Sequence, residues 1–350
     1  MKILYAIQST GNGHLSRATE ILPHLLDYGD VDILISGSRN NLDLPFLVKF
    51  RKRGLNFQNG KRGGINYLQT ILQCRPFRFL KDVLHFPVEQ YDLVLNDFEP
   101  VTAWACRLKH KACVGMSHQA SFVSAKTPRP AIRRFADEML LSHFAPAHEY
   151  TGFHFSRYDH FIHLPVIRKR IREAENIHGN HYTVYLPSYA DRFLIKRLNK
   201  LDEVLWEVFS KDCRYPERFK NVVLFPITSE RFSKSLTSCS GVLCGAGFET
   251  PAEALFLKKK LMAIPMKGQY EQACNSAALQ QMGIKTLTAL DNDFHLELLN
   301  WMETPAITSV CYPDATAKIV ESIITKHKSR KYDEAIMQSG QLTIETELLQ

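Results

Sequence analysis

Two glycine-rich turns, one in each half of the chain, carry residue types from which hydroxyl and phosphate chemistry can be built. The first is Gly11-Asn12-Gly13-His14. It follows the apolar run Lys2 to Ile7 and precedes a helical pattern of Leu15, Ala18, Ile21, Leu22, Leu25 and Leu26, so it reads as strand, turn, helix. An imidazole, with an ordinary pKa of about 6.5, can take a proton from a hydroxyl when a carboxylate stands beside it; as an imidazolium it can hold a phosphate. A polar helix-capping turn that happens to contain a histidine is the competing reading.

The second turn is Gly245-Ala246-Gly247, continuing Phe248-Glu249-Thr250-Pro251-Ala252-Glu253 after the buried-strand pattern Gly241 to Cys244. Glycines let the backbone approach an anion, and the free N–H groups of a first helical turn hold a phosphate with help from the helix dipole. Glu253 falls one or two turns into that helix, where a carboxylate can accept two hydrogen bonds from vicinal ribose hydroxyls. A simple glycine turn with a surface glutamate is the alternative.

The elements around these turns alternate. Val31 to Ser36, Tyr91 to Asp97 and Ala112 to Met116 read as further strands, with a helix through Thr102 to Leu108. Such alternation implies a parallel sheet covered by helices on both faces. From 157 to 181 the texture becomes basic and His-rich, with no strand periodicity. A second series follows: Tyr182 to Leu186, a long amphipathic helix expected over Phe193 to Phe209, then Val222 to Phe225, Gly241 to Cys244 and Leu261 to Pro265. The expected organisation is therefore two Rossmann-like α/β domains, 1–165 and 182–312, joined by a linker at 166–181. A helix over about Asp314 to Lys328 and a polar tail complete the segment 313–350. In such open sheets ligands bind beyond the carboxyl ends of the strands, so the site is expected in the cleft.

Composition sets the outer bounds. The chain has 350 residues, 45% hydrophobic and 23% charged, which excludes wholesale disorder and low-complexity architectures. No apolar run approaches the ~18 residues of a bilayer span, and Gln8-Ser9-Thr10 interrupts the first strand too early for a signal peptide, so the expected compartment is the cytoplasm. The eight cysteines include no CxxC pair and read as reduced, mostly buried thiols. A net charge of +8 suits nucleic acid, anionic lipid or a phosphorylated small molecule alike.

Downstream of Glu253 the pattern becomes specific: Pro265-Met266-Lys267-Gly268-Gln269-Tyr270-Glu271-Gln272-Ala273-Cys274-Asn275. Gly-Ala-Gly-Phe-Glu-Thr, Pro-Ala-Glu-Ala, a strand ending in proline and a Gln-rich loop opening a helix together resemble the donor site of GT-B glycosyltransferases. The resemblance is closest to the branch holding the lipid II N-acetylglucosaminyltransferase and the UDP-glycosyltransferases. It covers most of the chain, with 241–275 its specific part. It implies a GT-B fold, a UDP-sugar as donor substrate, a glycan, lipid-linked or small-molecule acceptor, and neither an essential metal nor a cofactor; inversion follows from direct in-line attack if His14 deprotonates the acceptor. By the same resemblance Glu253 binds the ribose, Gly245, Ala246 and Gly247 meet the diphosphate, Gln272 contacts the sugar with Gln269 beside it, and Ser188 approaches the diphosphate from the second domain's first strand. Gly11, Asn12, Gly13 and His14 match the loop where plant-type members carry a basic histidine, oriented here by Asp97 with Glu99 as substitute. In the lipid II branch that histidine is a phosphate or acceptor contact. His118 and Gln119 resemble a polar pair at the acceptor cleft.

Other candidates weigh less. Gly11-x-Gly13-x-x-Ser16 lacks the third glycine and the later acidic residue of a dinucleotide fingerprint, with Ser36-Gly37-Ser38 where that acid would stand. His160 and His163 have no third metal ligand at useful spacing. Asp30-Val31-Asp32 and Asp291-Asn292-Asp293 imitate a metal-binding DxD but fall at a strand start and in a loop. The segment Arg129 to Phe135 with Met139-Leu140-Leu141 is either an ordinary surface helix or a dock for an anionic membrane's inner face. Two other functions stay open: a UDP-N-acetylglucosamine 2-epimerase on the same donor site, and a non-catalytic nucleotide-sugar or nucleic-acid binder. The dispersed basic residues, without an aromatic platform, argue against nucleic acid.

Overall fold

Strand β1 (Lys2–Gln8) is buried on both faces, which fits its nearly unbroken apolar sequence. Ile3, Tyr5 and Ile7 face helix α1 (Asn12–Leu26) and its Leu15, Ala18, Ile21, Leu22 and Leu25, while Leu4 and Ala6 face the opposite layer with Val101 and Ala105. Each such aliphatic side chain contributes roughly 1.5–3 kcal/mol on burial. The computed structural model describes residues 1–9, 11–37, 44–55, 75–291, 294–304 and 308–330.

The first sheet also contains β2 (Asp30–Ser36), β3 (Val48–Lys52), β4 (Leu93–Asp97), β5 (Cys113–Ser117), β6 (Glu149–Phe153) and β7 (Ile162–His163). Its order is β3-β2-β1-β4-β5-β6-β7, all parallel. Its helices after α1 are α2 (Pro76–His85), α3 (Pro100–Leu108) and α4 (Phe135–His143); the short α5 (Lys169–Arg172) leads to the second sheet. That sheet has β8 (His181–Tyr185), β9 (Leu205–Ser210), β10 (Glu217–Phe219), β11 (Val222–Pro226), β12 (Gly241–Gly245), β13 (Lys260–Ile264) and β14 (Lys285–Thr286). They run β10-β11-β9-β8-β12-β13-β14, parallel except for the β10–β11 hairpin. Its helices are α6 (Asp191–Leu198), α7 (Ser229–Ser238), α8 (Glu249–Phe256), α9 (Tyr270–Gln281) and α10 (Phe294–Glu303).

A last helix, α11 over residues 316–330, returns to the first unit. Ile319, Val320, Ile323 and Ile324 join the cluster that contains Ile3 and Tyr5. Lys326 meets Glu149 of β6 at 2.8 Å, and the Tyr312 hydroxyl donates to the Phe155 carbonyl at 3.0 Å.

Two expectations change. The helix expected over Phe193 to Phe209 is α6 followed by β9, because the chain turns at Asn199 and Leu205–Ser210 inserts between β8 and β11 with Trp206 and Val208 buried. The stretch 157 to 181 hides β7 and α5, both too short to show a period. The polar tail beyond residue 330 and the pair Asn292-Asp293 lie outside the described residues, as does Cys74; of the other cysteines only Cys311 is exposed.

Strand order reverses between β1 and β4 in one sheet and between β8 and β12 in the other. The turn into α1 leaves the first reversal and the turn into α8 the second. Crevices at such reversals are where open sheets bind ligands.

Candidate active site

The backbone of Gly11 has φ +94°, a conformation that strains any residue with a side chain, and it turns β1 into α1. Two residues into the helix a Cβ on Gly13 would fall 2.5 Å from Glu249 Oε2, so a side chain there would push aside the end of Glu249. His14 follows on the inner face of α1. As the Nδ1–H tautomer it donates to Asp97 Oδ1 at 2.7 Å, which makes Nε2 the acceptor nitrogen, with the Gln119 amide beside it. Asp97 stands at the carboxyl end of β4, fully buried. Burial alone would raise its carboxyl, but Arg17 and His14 more than offset this and hold it below the usual range.

Gln119 Nε2 lies 3.4 Å from His14 Nε2 and donates to Glu271 Oε2 at 3.0 Å. Burial pushes the Glu271 carboxyl up. His118 is closed in the interface: Nδ1 meets the Phe153 carbonyl at 2.7 Å, Nε2 meets the Asn275 side-chain amide at 2.8 Å, and the ring stacks on Phe248 at 4.0 Å. Burial drives the ring down to about 3, so it is neutral. Expected at the acceptor, His118 is a clamp between the two units, with no nitrogen left to offer.

Glu99 also departs from expectation. Its carboxylate caps α3, accepting from Val101 N at 2.8 Å, Thr102 N at 2.7 Å and the Thr102 hydroxyl, and it is wholly buried. It therefore neither substitutes for Asp97 nor faces an acceptor.

A cavity of about 170 Å³ lies between the two units, by the two reversal points. Asn12, Gly13 and Ser16 form one wall, Gly247 to Thr250 and Glu253 the opposite one, and Tyr185, Ile227 and Phe232 an apolar end. Tyr185 hydrogen-bonds Asn12 across it. Glu253 is buried and gripped by Arg168, Nε to Oε1 at 2.5 Å and Nη2 to Oε2 at 2.7 Å.

Gly247 lines the cavity, but Gly245 and Ala246 do not: Gly245 ends β12 against Ile264, and the Ala246 N–H is spent on the Ile264 carbonyl at 3.2 Å. Gln272 turns its amide oxygen back to Met266 N at 2.8 Å, and Gln269 precedes α9; both shape the 265–269 loop without reaching the wall. Ser188 sits in the turn after β8, where Tyr185 takes the wall position instead.

Sequence reasoning passed over four charged residues here: Arg17, Arg168, Glu249 and Glu271. Arg17 stands three residues after His14 and so shares its helix face, a detectable signal. The partners of the other three come from distant chain segments. Among the described residues no three His, Cys, Asp or Glu side chains converge as a metal site, and no helix is long and apolar enough to cross a membrane.

Two Rossmann-like units facing each other across such a cleft define the GT-B class. The chain matches glycosyl transferase family 1 over residues 1–300, and it belongs to that family. Solved structures share the fold. Phytolacca americana UGT2, complexed with UDP-2fluoro-glucose and pterostilbene, has a TM-score of 0.56 and 12% identity, covering 93% of this chain and 99% of its own. Acinetobacter baumannii MurG gives 0.51 at 15% identity over 93% and 99%, and the glycotransferase of kitacinnamycin 0.55 at 10% over 94% and 95%. No curated protein matches the sequence.

Proposed function

We propose that this glycosyltransferase takes its sugar from a nucleotide diphosphate, UDP first, and passes it with inversion to an acceptor hydroxyl without an essential metal. The observation that carries this reading is a shared helical turn: α1 supplies Asn12 and Gly13 to the cavity and, next in sequence, His14 to the Asp97 pair. His14 Nε2 is the base for the acceptor hydroxyl, and direct attack on the anomeric carbon then inverts it. Gly247 and the first turn of α8 receive the diphosphate and stabilise its charge on departure. Glu253 accepts from the ribose hydroxyls. The UDP sugar bound by the structural neighbour from Phytolacca supports this choice of donor.

A thermal-shift screen of UDP, GDP, ADP, dTDP and their sugars tests it. UDP at a hundredfold excess over its Kd stabilises the fold by about 2.7 kcal/mol, whereas a melting point unmoved by every nucleotide refutes the donor reading.

A specific observation favours an amphiphilic acceptor at an anionic membrane. Ile132 and Phe135 are 83% and 78% exposed, with Met139 and Leu140 also at the surface beside exposed Arg133, Arg134 and Lys126. The nearby acids are engaged: Asp137 by Arg134, and Glu138 by Arg129 and by the Tyr270 hydroxyl at 2.7 Å, a bond that ties α4 to the cleft helix α9. Vesicles containing phosphatidylglycerol should sediment the protein and pure phosphatidylcholine should not. Arg133→Glu with Arg134→Glu should weaken that binding at least tenfold, at roughly 1 kcal/mol per basic residue lost. Equal recovery with both lipids, or no effect of the double substitution, rejects this acceptor setting.

A further inference from the structure

We propose that Arg17 is a positioning residue that makes the strength of the His14 base depend on closure of the cleft, through its simultaneous grip on Asp97 in one unit and Glu249 in the other. The inference rests on the reading of His14 as base and adds what regulates it.

Arg17 is almost wholly buried one turn below His14. Its Nη2 donates to Asp97 Oδ1 at 2.7 Å and Oδ2 at 2.8 Å, and its Nη1 donates to Glu249 Oε1. Asp97 Oδ1 is the same oxygen that accepts from His14. Within the first unit alone, the guanidinium cancels the carboxylate that orients the imidazole, so an imidazolium there faces no net negative charge. Glu249 opens α8 of the second unit and reaches Arg17 only while the two units sit together. Its arrival leaves Asp97, Arg17 and Glu249 with a net charge of about −1, by formal counting of ionised side chains. In a site of low effective dielectric that charge stabilises the proton which His14 must accept.

The other groups facing His14 do not perform this exchange. Tyr5 of β1 lies behind Asp97, its phenol pushed well up by burial and then by Asp97. His118 is neutral. Glu271 of α9 arrives with the second unit as well, but it is held by Gln119 and burial raises it toward its neutral form. Gly13 is the structural partner of the device, since a side chain there would collide with the Glu249 carboxylate.

The test is the titration of the His14 ring in the ligand-free full chain, followed by NMR of histidine-labelled protein and assigned by the resonance lost in His14→Asn. Glu249→Gln removes the added negative charge, so the ring loses its proton at lower pH, by about 0.5 to 1 unit. Arg17→Gln uncovers Asp97 and moves the midpoint the opposite way. Should Arg17→Gln fail to fold, Gly13→Ala carries the test: its methyl displaces the flexible end of Glu249 and lowers the midpoint as Glu249→Gln does. Midpoints that stay at the wild-type value, or that move in one common direction for Glu249→Gln and Arg17→Gln, overturn the coupling. No substrate enters the titration, so its result is separate from the loss of turnover by which the base reading itself is judged.

Discussion

His14→Ala lowers turnover of the nucleotide sugar selected by the thermal-shift screen by about 10²- to 10⁴-fold, the usual contribution of a positioned general base. The same variant changes the Kd for the nucleotide alone by no more than about threefold, since the ring is no part of the cavity wall and makes its hydrogen bond to Asp97. Single-turnover rates and calorimetry on one preparation separate the two effects. A large loss of nucleotide affinity with little change in rate would make His14 a phosphate contact, the role suggested by the lipid II branch. Full retention of turnover would remove it from the chemistry. Asp97→Asn is a poorer probe: it leaves the buried Arg17 guanidinium paired only with Glu249, and breaking a buried pair costs about 3–5 kcal/mol of stability.

The parts of this site that were legible in the sequence are those in which one short segment does one thing. Strand, glycine turn and helix around residues 8 to 15 follow from local periodicity, whereas Asp97 enters only through the resemblance, as the residue that would orient His14. Glu253 and Gly247 stand on the helix and turn that the local pattern places after β12, and both line the cavity. Residues whose work depends on a partner from the other unit were not. Arg17 shares the helix face of His14, but only the fold brings Glu249 to it from 232 positions away. Arg168 lay in what read as linker, yet it closes over Glu253. His118 was found by position and misjudged by role, because nothing local says that Phe248 and Asn275 will enclose it. Glu99 was misread where local chemistry could have corrected it: a glutamate just before Pro100 and two residues short of Val101 is well placed to cap the helix that begins there. The helix expected over 193 to 209 failed because apolar residues at helical spacing also fit a helix followed by a fully buried strand.

Glu253→Ala lowers affinity for UDP by on the order of 2–4 kcal/mol, the worth of two charge-assisted hydrogen bonds from ribose hydroxyls, or roughly 30- to 1000-fold in Kd. The fold complicates this expectation, because both carboxylate oxygens already accept from Arg168. Each oxygen keeps a second lone pair, so ribose and guanidinium can share the group, and the pair then presents Glu253 rigidly to the cavity it lines. Truncation also leaves Arg168, itself on the cavity wall, without its carboxylate, so Glu253→Ala lowers the melting temperature as well. Arg168→Ala separates the two consequences. If Glu253 serves only to neutralise Arg168, both substitutions destabilise the fold to a similar degree and neither changes the calorimetric Kd for UDP. If Glu253 holds the ribose, Arg168→Ala destabilises while costing at most a few-fold in affinity, Glu253→Ala costs the full amount, and the double variant binds no worse than Glu253→Ala alone. Glu253→Gln falls between them: its amide keeps one acceptor for a ribose hydroxyl but loses the charge, and it should retain more affinity than alanine at similar stability.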